Sequence, residues 1–406
     1  MKKQVGVIFG SRSCEREVAI ISAVQLMRHA DPEKYDVIPV YIDEQGTWYT
    51  GEKLKEISSF KPFKPETAGI TKVFPDLTSG SGALLTVRKG GGLLAKEKIE
   101  IEARIDVYIV VMHGMNGEDG TLQGLLELAN IPYTSTGVAG SAIGMDKIMM
   151  KQFFRGAGMP VLPGEWFTRR EFSENPEAVI EKTEKSLGYP VFVKPANLGS
   201  SIGVSRADDR EGLKDSLELA FAYDRRVLIE KGLDKPIELN CSVLGYDGEV
   251  LASPIEMPVN SGDFLDFGEK YLAGGGSKGM ASLHRILPAP IEEELKEEIQ
   301  GLSKEIFRML DCKGVVRIDY MFDRESGKIF ITEINTIPGS LAFYLWENAG
   351  MKYRELIDRM IGYAEKAHAD RNNANYAYTS DILKNVSLGA KGAKGSKLTG
   401  TKGAKG

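Results

Sequence analysis

Residues 314–340 read GVVRIDYMFDRESGKIFITEINTIPGS, two apolar runs joined through a Ser-Gly turn with polar residues set into them at alternate positions. Side chains of a strand alternate between its two faces, so the segment predicts a β-hairpin. Arg317 and Asp319 then share one face, and Glu333 and Asn335 share a face of the return strand. The opposite faces carry Val316, Ile318 and Tyr320, then Phe330, Thr332 and Ile334. In the register that brings the apolar faces together, four polar groups converge on one surface. Two acids on neighbouring strands repel unless a cation joins them. Asp319, Glu333 and Asn335 form a donor set for a hard cation: Mg²⁺ takes one or two carboxylates and completes its sphere with water and phosphate oxygens. Arg317 beside them suits an anion or a developing oxyanion. The competing reading is an exposed sheet face closed by a salt bridge.

A phosphate-binding signal lies upstream. In VKPANLGSSIGVS, from Val193 to Ser205, Lys194 ends an apolar strand and a small, hydroxyl-bearing loop follows. Such a loop offers backbone N–H groups to a triphosphate with little obstruction, while the lysine supplies charge. Lys147, in GMDKIMMKQFF, is a second candidate, with a surface lysine near a helix start as the alternative. In VLIEKGLDKPIE, Glu230 and Lys231 end a strand and Glu238 follows the turn. Backbone leaving a strand there can meet a base edge, and a carboxylate can accept ribose hydroxyls.

The rest of the chain fits an α/β protein. QVGVIFG reads as a strand, CEREVAIISAVQLMRHA as a helix, YDVIPVYID as a strand and TLQGLLELAN as a helix. DVYIVVMHG is continuously apolar, as a strand buried on both faces should be. This alternation predicts a mainly parallel, helix-covered sheet up to about residue 145. The Gly- and Lys-rich TSGSGALLTVRKGGGLLAKEKIE predicts a surface hairpin and loop. Helical patterns dominate from Lys147 to about Gly188. In PIEEELKEEIQGLSKEIFRML, Ile291, Leu295, Ile299, Leu302, Ile306 and Met309 recur at helical spacing. The boundaries fall at 1–145 for a substrate-binding α/β domain, 146–240 for a central lobe, 241–370 for a C-terminal lobe with the metal site, and 371–406 for a tail. The last twenty residues hold five lysines and no acid. They predict a disordered appendage, with a basic arm for an acidic partner as the sharper alternative.

Composition enters by exclusion. A net charge of −5 argues against a nucleic-acid footprint, and no apolar run is long enough to span a membrane. MKKQVGVIFG reads as a first strand rather than a signal peptide. Cys14, Cys241 and Cys312 lie far apart, which predicts free thiols in a reducing cytoplasm.

The motif order resembles the ATP-grasp ligases, and within them the D-alanine–D-alanine ligase family, over roughly residues 3–365. HGMNGEDGTLQGLLELANIPYTSTGVAGSAIGMDK, VKPANLGSSIGVS, RIDYMF and EINTIPG carry the resemblance. It implies a Rossmann-like first domain followed by a two-lobed ATP-grasp fold. It also implies that Lys147 and Lys194 contact ATP phosphates, with Ser200 and Ser201 in the flap over them. Glu230, Lys231 and Leu233 would hold adenine, and Glu238 the ribose. Asp319, Glu333 and Asn335 would bind two Mg²⁺ ions, with Mn²⁺ as a substitute. Glu15 would anchor the ammonium of the first amino acid, with His113 beside it. Ser200 and Tyr271 would complete a hydrogen-bonded group with Glu15. Lys270 would sit near the transferred phosphate, and Arg317 with the Gly339 N–H would form the oxyanion hole. A homodimer through the first domain is what the family suggests.

The implied reaction converts one D-amino-acid carboxylate to an acyl phosphate and joins it to a second amine, giving a peptidoglycan precursor. The intermediate needs shelter from water, and YLAGGGSKGMAS, beginning at Tyr271, is glycine-rich enough for a closing lid. One stretch departs from the family pattern. After IPG the family continues through a Ser/Thr-rich run ending in Ser-Leu, whose serine grips the second substrate. Here the run is SLAFYLWENAG, and an ungapped match sets Tyr344 at the serine and Leu345 after it. D-Ala–D-Ala is the first expectation. D-Ala–D-Ser, another D-amino acid, or another carboxylate–amine pair are the alternatives. A non-catalytic nucleotide-binding module with a docking tail is the competing class.

Overall fold

Strand β1 (Lys3–Gly10) has parallel partners on both sides, β2 (Tyr35–Ile42) and β7 (Val107–Val111), in a computed structural model that describes residues 2–90, 96–259 and 285–374. The helix Arg16–His29 crosses from β1 to β2 and buries Val18, Ile20, Val24 and Leu26. All five residues of β7 are buried, as its continuous apolar run predicts. Its outer edge is closed by residues 132–134: Tyr108 N–H donates to Pro132 O at 2.9 Å, and Thr134 N–H returns to Tyr108 O at 3.1 Å.

Beyond β2 the sheet continues through β3 (Trp48–Thr50), β4 (Thr71–Pro75), β5 (Ala83–Lys89) and β6 (Glu97–Arg104), in the order β6-β5-β4-β3-β2-β1-β7. Every pairing past β2 is antiparallel. The parallel core expected from strand–helix alternation is therefore β2-β1-β7. The later strands follow one another without an intervening α-helical crossover, and short connections pair strands antiparallel.

Two four-stranded antiparallel sheets form the core of the remaining lobes. The first has the order β10-β9-β11-β8, from β8 (Gly164–Thr168), β9 (Val191–Pro195), β10 (Ser205–Ala207) and β11 (Arg226–Lys231). The helical reading of residues 147–188 missed β8, a five-residue strand between helices whose identity is set by pairing with β11. The second has the order β13-β12-β16-β17, from β12 (Ile237–Tyr246), β13 (Glu249–Ala252), β16 (Gly314–Asp323) and β17 (Lys328–Asn335). The helix Glu293–Met309 covers it with Ile299, Ile306 and Phe307. Burying one such side chain contributes about 1.5–3 kcal/mol. The helix Lys147–Gly156 adds Met150 and Phe154 to the same core.

The predicted hairpin forms, with one correction. A bulge between Asp319 and Tyr320 shifts the register, so Asp319 faces Glu333 while Tyr320 faces Ile331. Thr332 is the extra residue, and its hydroxyl donates to Asp319 O at 2.7 Å. The inward residues of β17 are consequently Ile329, Ile331 and Ile334, not Phe330, Thr332 and Ile334. An extra residue in one strand flips the alternation beyond it.

After β17 the chain returns to the first core, where Ile337, Leu341, Trp346, Tyr353 and Leu356 pack with residues of β1, β2 and β7. The helix Tyr353–Asn372 follows. The tail from residue 375, the lid candidate at 271–282, Lys270 and Tyr271 lie outside the described residues. Among the described residues no helix is long and apolar enough to cross a membrane.

Candidate active site

The polar face of β16 and β17 has the register that its chemistry requires. Arg317 pairs across the strands with Asn335, and Asp319 with Glu333. Arg317 grips Asp319 with two bonds, Nε to Oδ1 at 2.6 Å and Nη2 to Oδ2 at 2.7 Å. Asn335 Nδ2 donates to Asp319 Oδ2 at 3.0 Å. Lys147 Nζ lies 3.3 Å from Glu333 Oε2 and donates to Leu198 O at 2.8 Å. Each of the facing carboxylates thus already has a cation beside it. Burial disfavours the Arg317 charge, but Asp319 outweighs it and holds the guanidinium ionised. Two carboxylates and an amide on adjacent strands are hard oxygen donors, and they fit a magnesium-type ion.

Behind this face lies a buried chain of charge. Lys194 Nζ donates to Glu230 Oε2 at 2.6 Å, and Lys151 Nζ lies 2.7 Å from Glu230 Oε1. Burial alone would raise the Glu230 carboxyl; Lys151 and Lys194 outweigh it and bring it to about 2. Burial opposes the Lys194 charge, and Glu230 more than restores it. The side chain of Glu230 is therefore committed to lysines. Lys231, next along β11, sends its Nζ to Tyr189 O at 2.8 Å. Leu233 and Glu238 are half-buried on either side of the turn into β12. Three lysines, Lys147, Lys151 and Lys194, face two glutamates, Glu230 and Glu333. The excess cation suits a phosphate chain.

A third group gathers around Glu15, which immediately precedes the helix Arg16–His29. The Ser200 hydroxyl donates to Glu15 Oε1, linking the loop after β9 to the first domain. Ser200 and Ser201 both have left-handed backbone, at φ 52° and 60°. Such conformations cluster at functional sites. Gly114 and Gly199 leave the Glu15 carboxylate its space: a Cβ on either would lie 2.5 or 2.6 Å from Glu15 Oε2.

His113 is buried beside this group, with Nδ1 2.8 Å from Ile337 O and Nε2 2.9 Å from Ser22 Oγ. A carbonyl only accepts, so Nδ1 carries the proton and Nε2 accepts from the Ser22 hydroxyl. Burial lowers the His113 pKa to about 4. Ser22 Oγ in turn accepts the Ser340 N–H at 3.0 Å. Ser340, Leu341 and Ala342 after Gly339 all have left-handed backbone, φ 50–53°, a conformation that costs roughly 1–2 kcal/mol per residue. Burial against the first core holds that turn.

Tyr344 is buried. Its hydroxyl donates to Glu256 Oε1 at 2.8 Å, while the Arg285 guanidinium lies 3.9 Å from its ring centroid. Arg285 and Asn240 also bond Glu256, at 2.9 and 3.0 Å. Burial, with the Glu256 charge, raises the Tyr344 phenol. Leu345 is wholly buried in the first core.

Sequence reasoning missed Lys151, Glu118, Glu256 and Arg285. Glu118 accepts the backbone N–H of Gly114 and of Ile337, both at 2.8 Å, tying the loop after β7 to the segment after β17. Burial and the nearby Glu15 charge raise its carboxyl to about 8.

Comparison with known proteins agrees with this architecture. A model of the D-ala D-ala ligase N-terminus matches residues 4–136, and one of the D-ala D-ala ligase C-terminus matches residues 153–362. The D-alanine–D-alanine ligase of Acetivibrio thermocellus is 40% identical over 375 residues, 91% of this chain and 97% of that protein. That of Thermosipho africanus is 36% identical over 379 residues, 93% and 98% of the two chains. Among solved structures, the VanG D-Ala:D-Ser ligase from Enterococcus faecalis superposes with a TM-score of 0.75 at 31% identity, covering 90% of this chain and all of its own. The D-alanine–D-alanine ligase from Coxiella burnetii gives 0.73 at 26% identity, covering 91% and 97%. With both family models matched in order and curated relatives aligned nearly end to end, the chain belongs to the D-alanine–D-alanine ligase family.

Proposed function

We propose that the chain joins two D-amino acids, D-alanine in both positions, at the expense of ATP. The observation that carries this reading is the cross-strand pairing of Asp319 with Glu333, flanked by Arg317 and Asn335 and reached by Lys147. Lys147 and Lys194 face the phosphates, and their charge offsets that which accumulates on the transferred group. A magnesium-type cation, two ions by family resemblance, would be held by Asp319, Glu333 and Asn335 and would neutralise phosphate charge. Adenine is met by the main chain from Glu230 to Leu233, because the Glu230 side chain is taken by lysines. Glu238 takes the ribose.

Glu15 holds the ammonium of the first amino acid, and its bond to Ser200 brings the flap over that subsite. The carboxylate of this amino acid accepts the γ-phosphoryl group of ATP, and ADP leaves. The second amine attacks the acyl carbon and loses a proton, and inorganic phosphate departs with the bonding pair. Arg317 and the Gly339 N–H stabilise the tetrahedral oxyanion, an effect of about 3–4 kcal/mol per donor. His113, neutral with both nitrogens engaged, orients Ile337 and Ser340 rather than moving protons. Lys270 and Tyr271 complete the site in this reading.

Phosphate release that requires ATP, Mg²⁺ and D-alanine together tests the proposal, and silence with all three present rejects it. D-serine as second substrate is a second reading. Tyr344 and its bond to Glu256 favour it, because no serine stands at that aligned position. Mass spectrometry of products from a D-amino-acid panel separates the two. A homodimer through the first domain has support in the apolar side chains of β4 to β6 that face outward, Phe74, Val87, Ile99 and Ile101. Analytical ultracentrifugation checks it.

A further inference from the structure

Lys151 stands one turn past Lys147 on the helix Lys147–Gly156, with its side chain only 3% exposed. Its ammonium reaches two separate sheets. It ion-pairs with Glu230 of β11 at 2.7 Å and donates to the carbonyl of Ile331 in β17, also at 2.7 Å. Glu230 spends its other oxygen on Lys194. Ile331 lies two residues before Glu333, on the strand that carries the carboxylate reached by Lys147.

One carboxylate thus serves two lysines. Were Glu230 to face Lys194 alone, the pair would be neutral and a phosphate would find little net charge there. With Lys151 drawing on the same carboxylate, the three groups keep one positive charge. We propose that Lys151 is a positioning residue for the nucleotide: by sharing Glu230 it leaves the Lys194–Glu230 pair with a net positive charge toward phosphate, and by holding Ile331 it sets the strand of Glu333 against that lysine. This rests on the reading of Lys194 as phosphate-facing. Lys151 touches no substrate in this role. A lysine serving only to tie the lobes together would affect folding and leave nucleotide selectivity untouched.

The test compares the wild type with Lys151→Met, Lys151→Arg and the double variant Lys151→Met/Glu230→Gln. The probe is the non-hydrolysable ATP analogue adenylyl imidodiphosphate with Mg²⁺, followed by calorimetry, alongside KM for ATP and for D-alanine. Lys151→Met is expected to weaken analogue binding and raise the KM for ATP by about tenfold or more while the KM for D-alanine stays within about twofold. Lys151→Arg keeps the charge on a longer, planar head in a buried site and should recover part of the affinity that Lys151→Met loses. The double variant removes the unshared carboxylate, the analogue's phosphates take its place as counter-charge to the buried Lys194, and most of the lost affinity should return. Unchanged analogue binding in Lys151→Met, constants for ATP and D-alanine that move together, or a double variant no better than the single would each overturn the proposal. If Lys151→Met does not fold, the double variant decides alone, and binding within about threefold of the wild type is then required. Wild-type analogue binding without ligation of any D-amino acid would reject the ligase reading and leave this one standing. No analogue binding by the wild type would overturn both.

Discussion

Lys147 Nζ lies 3.3 Å from Glu333 Oε2, joining the first residue of a helix to the strand that faces Asp319. In the proposed reading this lysine would serve phosphate and this carboxylate would serve a cation, so each charge balances the other in the pair. Glu333→Gln removes the charge at nearly constant shape from a partly exposed side chain. Turnover should fall at least about 100-fold, a loss of roughly 3 kcal/mol of transition-state stabilisation. The melting temperature should stay near the wild-type value. Phosphate-release kinetics and a thermal melt on the same preparation check both, and a fully active variant would remove Glu333 from the metal set.

The Ser200 hydroxyl donates to Glu15 Oε1 and joins the loop after β9 to the segment before the helix Arg16–His29. Ser200→Ala and Glu15→Gln should each raise the KM for the first D-alanine. The double variant should lose less than the two single losses combined, because the second change removes a partner already gone. A coupling of at least about 1 kcal/mol in kcat/KM is the expected outcome. Strict additivity would mean that the contact has no part in substrate binding.

The hairpin of β16 and β17 was legible because period-two alternation fixes faces, and opposed acids can be tolerated only in a register with cations nearby. Its bulge was not, since Thr332 differs from its neighbours only in bonding back to Asp319 O, a contact that exists after pairing. Lys151 carried a faint signal. Its spacing puts it with Met150 and Phe154 on the buried stripe of its helix, where a lysine needs a buried acid, but lysine on a helix reads first as solvated. Glu118 carried none. Its neighbour Asp119 is the same chemistry and caps the turn locally through Thr121 N, whereas Glu118 finds Ile337 N, 219 residues away. The Glu256–Arg285–Tyr344 group was hidden for the same reason, since its members meet only when the lobes are folded.

The neutral state of His113 gives an acid-side prediction with a defined sign. Burial depresses its pKa from 6.5 to about 4 in the folded chain. Between those values the unfolded chain binds a proton that the native state does not, so the stability from neutral His113 is complete above pH 6.5 and is lost as the pH falls toward 4. The loss amounts to about 3 kcal/mol across the window. Glu118, held protonated up to about 8, contributes the opposite slope above its unfolded pKa, so the measurement must be a difference. His113→Gln cannot titrate yet keeps a donor for Ile337 O and an acceptor for Ser22. Urea unfolding of both proteins from pH 7.5 to 4.5 should show the wild type losing stability faster than the variant below pH 6.5. Parallel curves would mean that His113 takes up its proton in the native state as it does in the unfolded chain.

Tyr344 tests the departure from the family's serine. Its hydroxyl donates to a buried carboxylate that Arg285 and Asn240 also serve. Tyr344→Phe deletes that one donor and keeps the ring on which Arg285 lies. Because Glu256 retains two partners, the cost to stability should be about 1 kcal/mol, the net value of one hydrogen bond, rather than the larger penalty of a stranded charge. The effect on chemistry should be selective. If the phenol shapes the second subsite through Glu256, the ratio of D-Ala–D-Ala to D-Ala–D-Ser formed from mixed substrates will shift, while the KM for ATP, which the proposed reading places around Lys147 and Lys194, will not. Mass spectrometry of the products, with a melt to confirm the small stability change, reads both quantities. A variant that loses stability with the product ratio unchanged would make Tyr344 a packing residue and pass the choice of second substrate to other groups near Arg317.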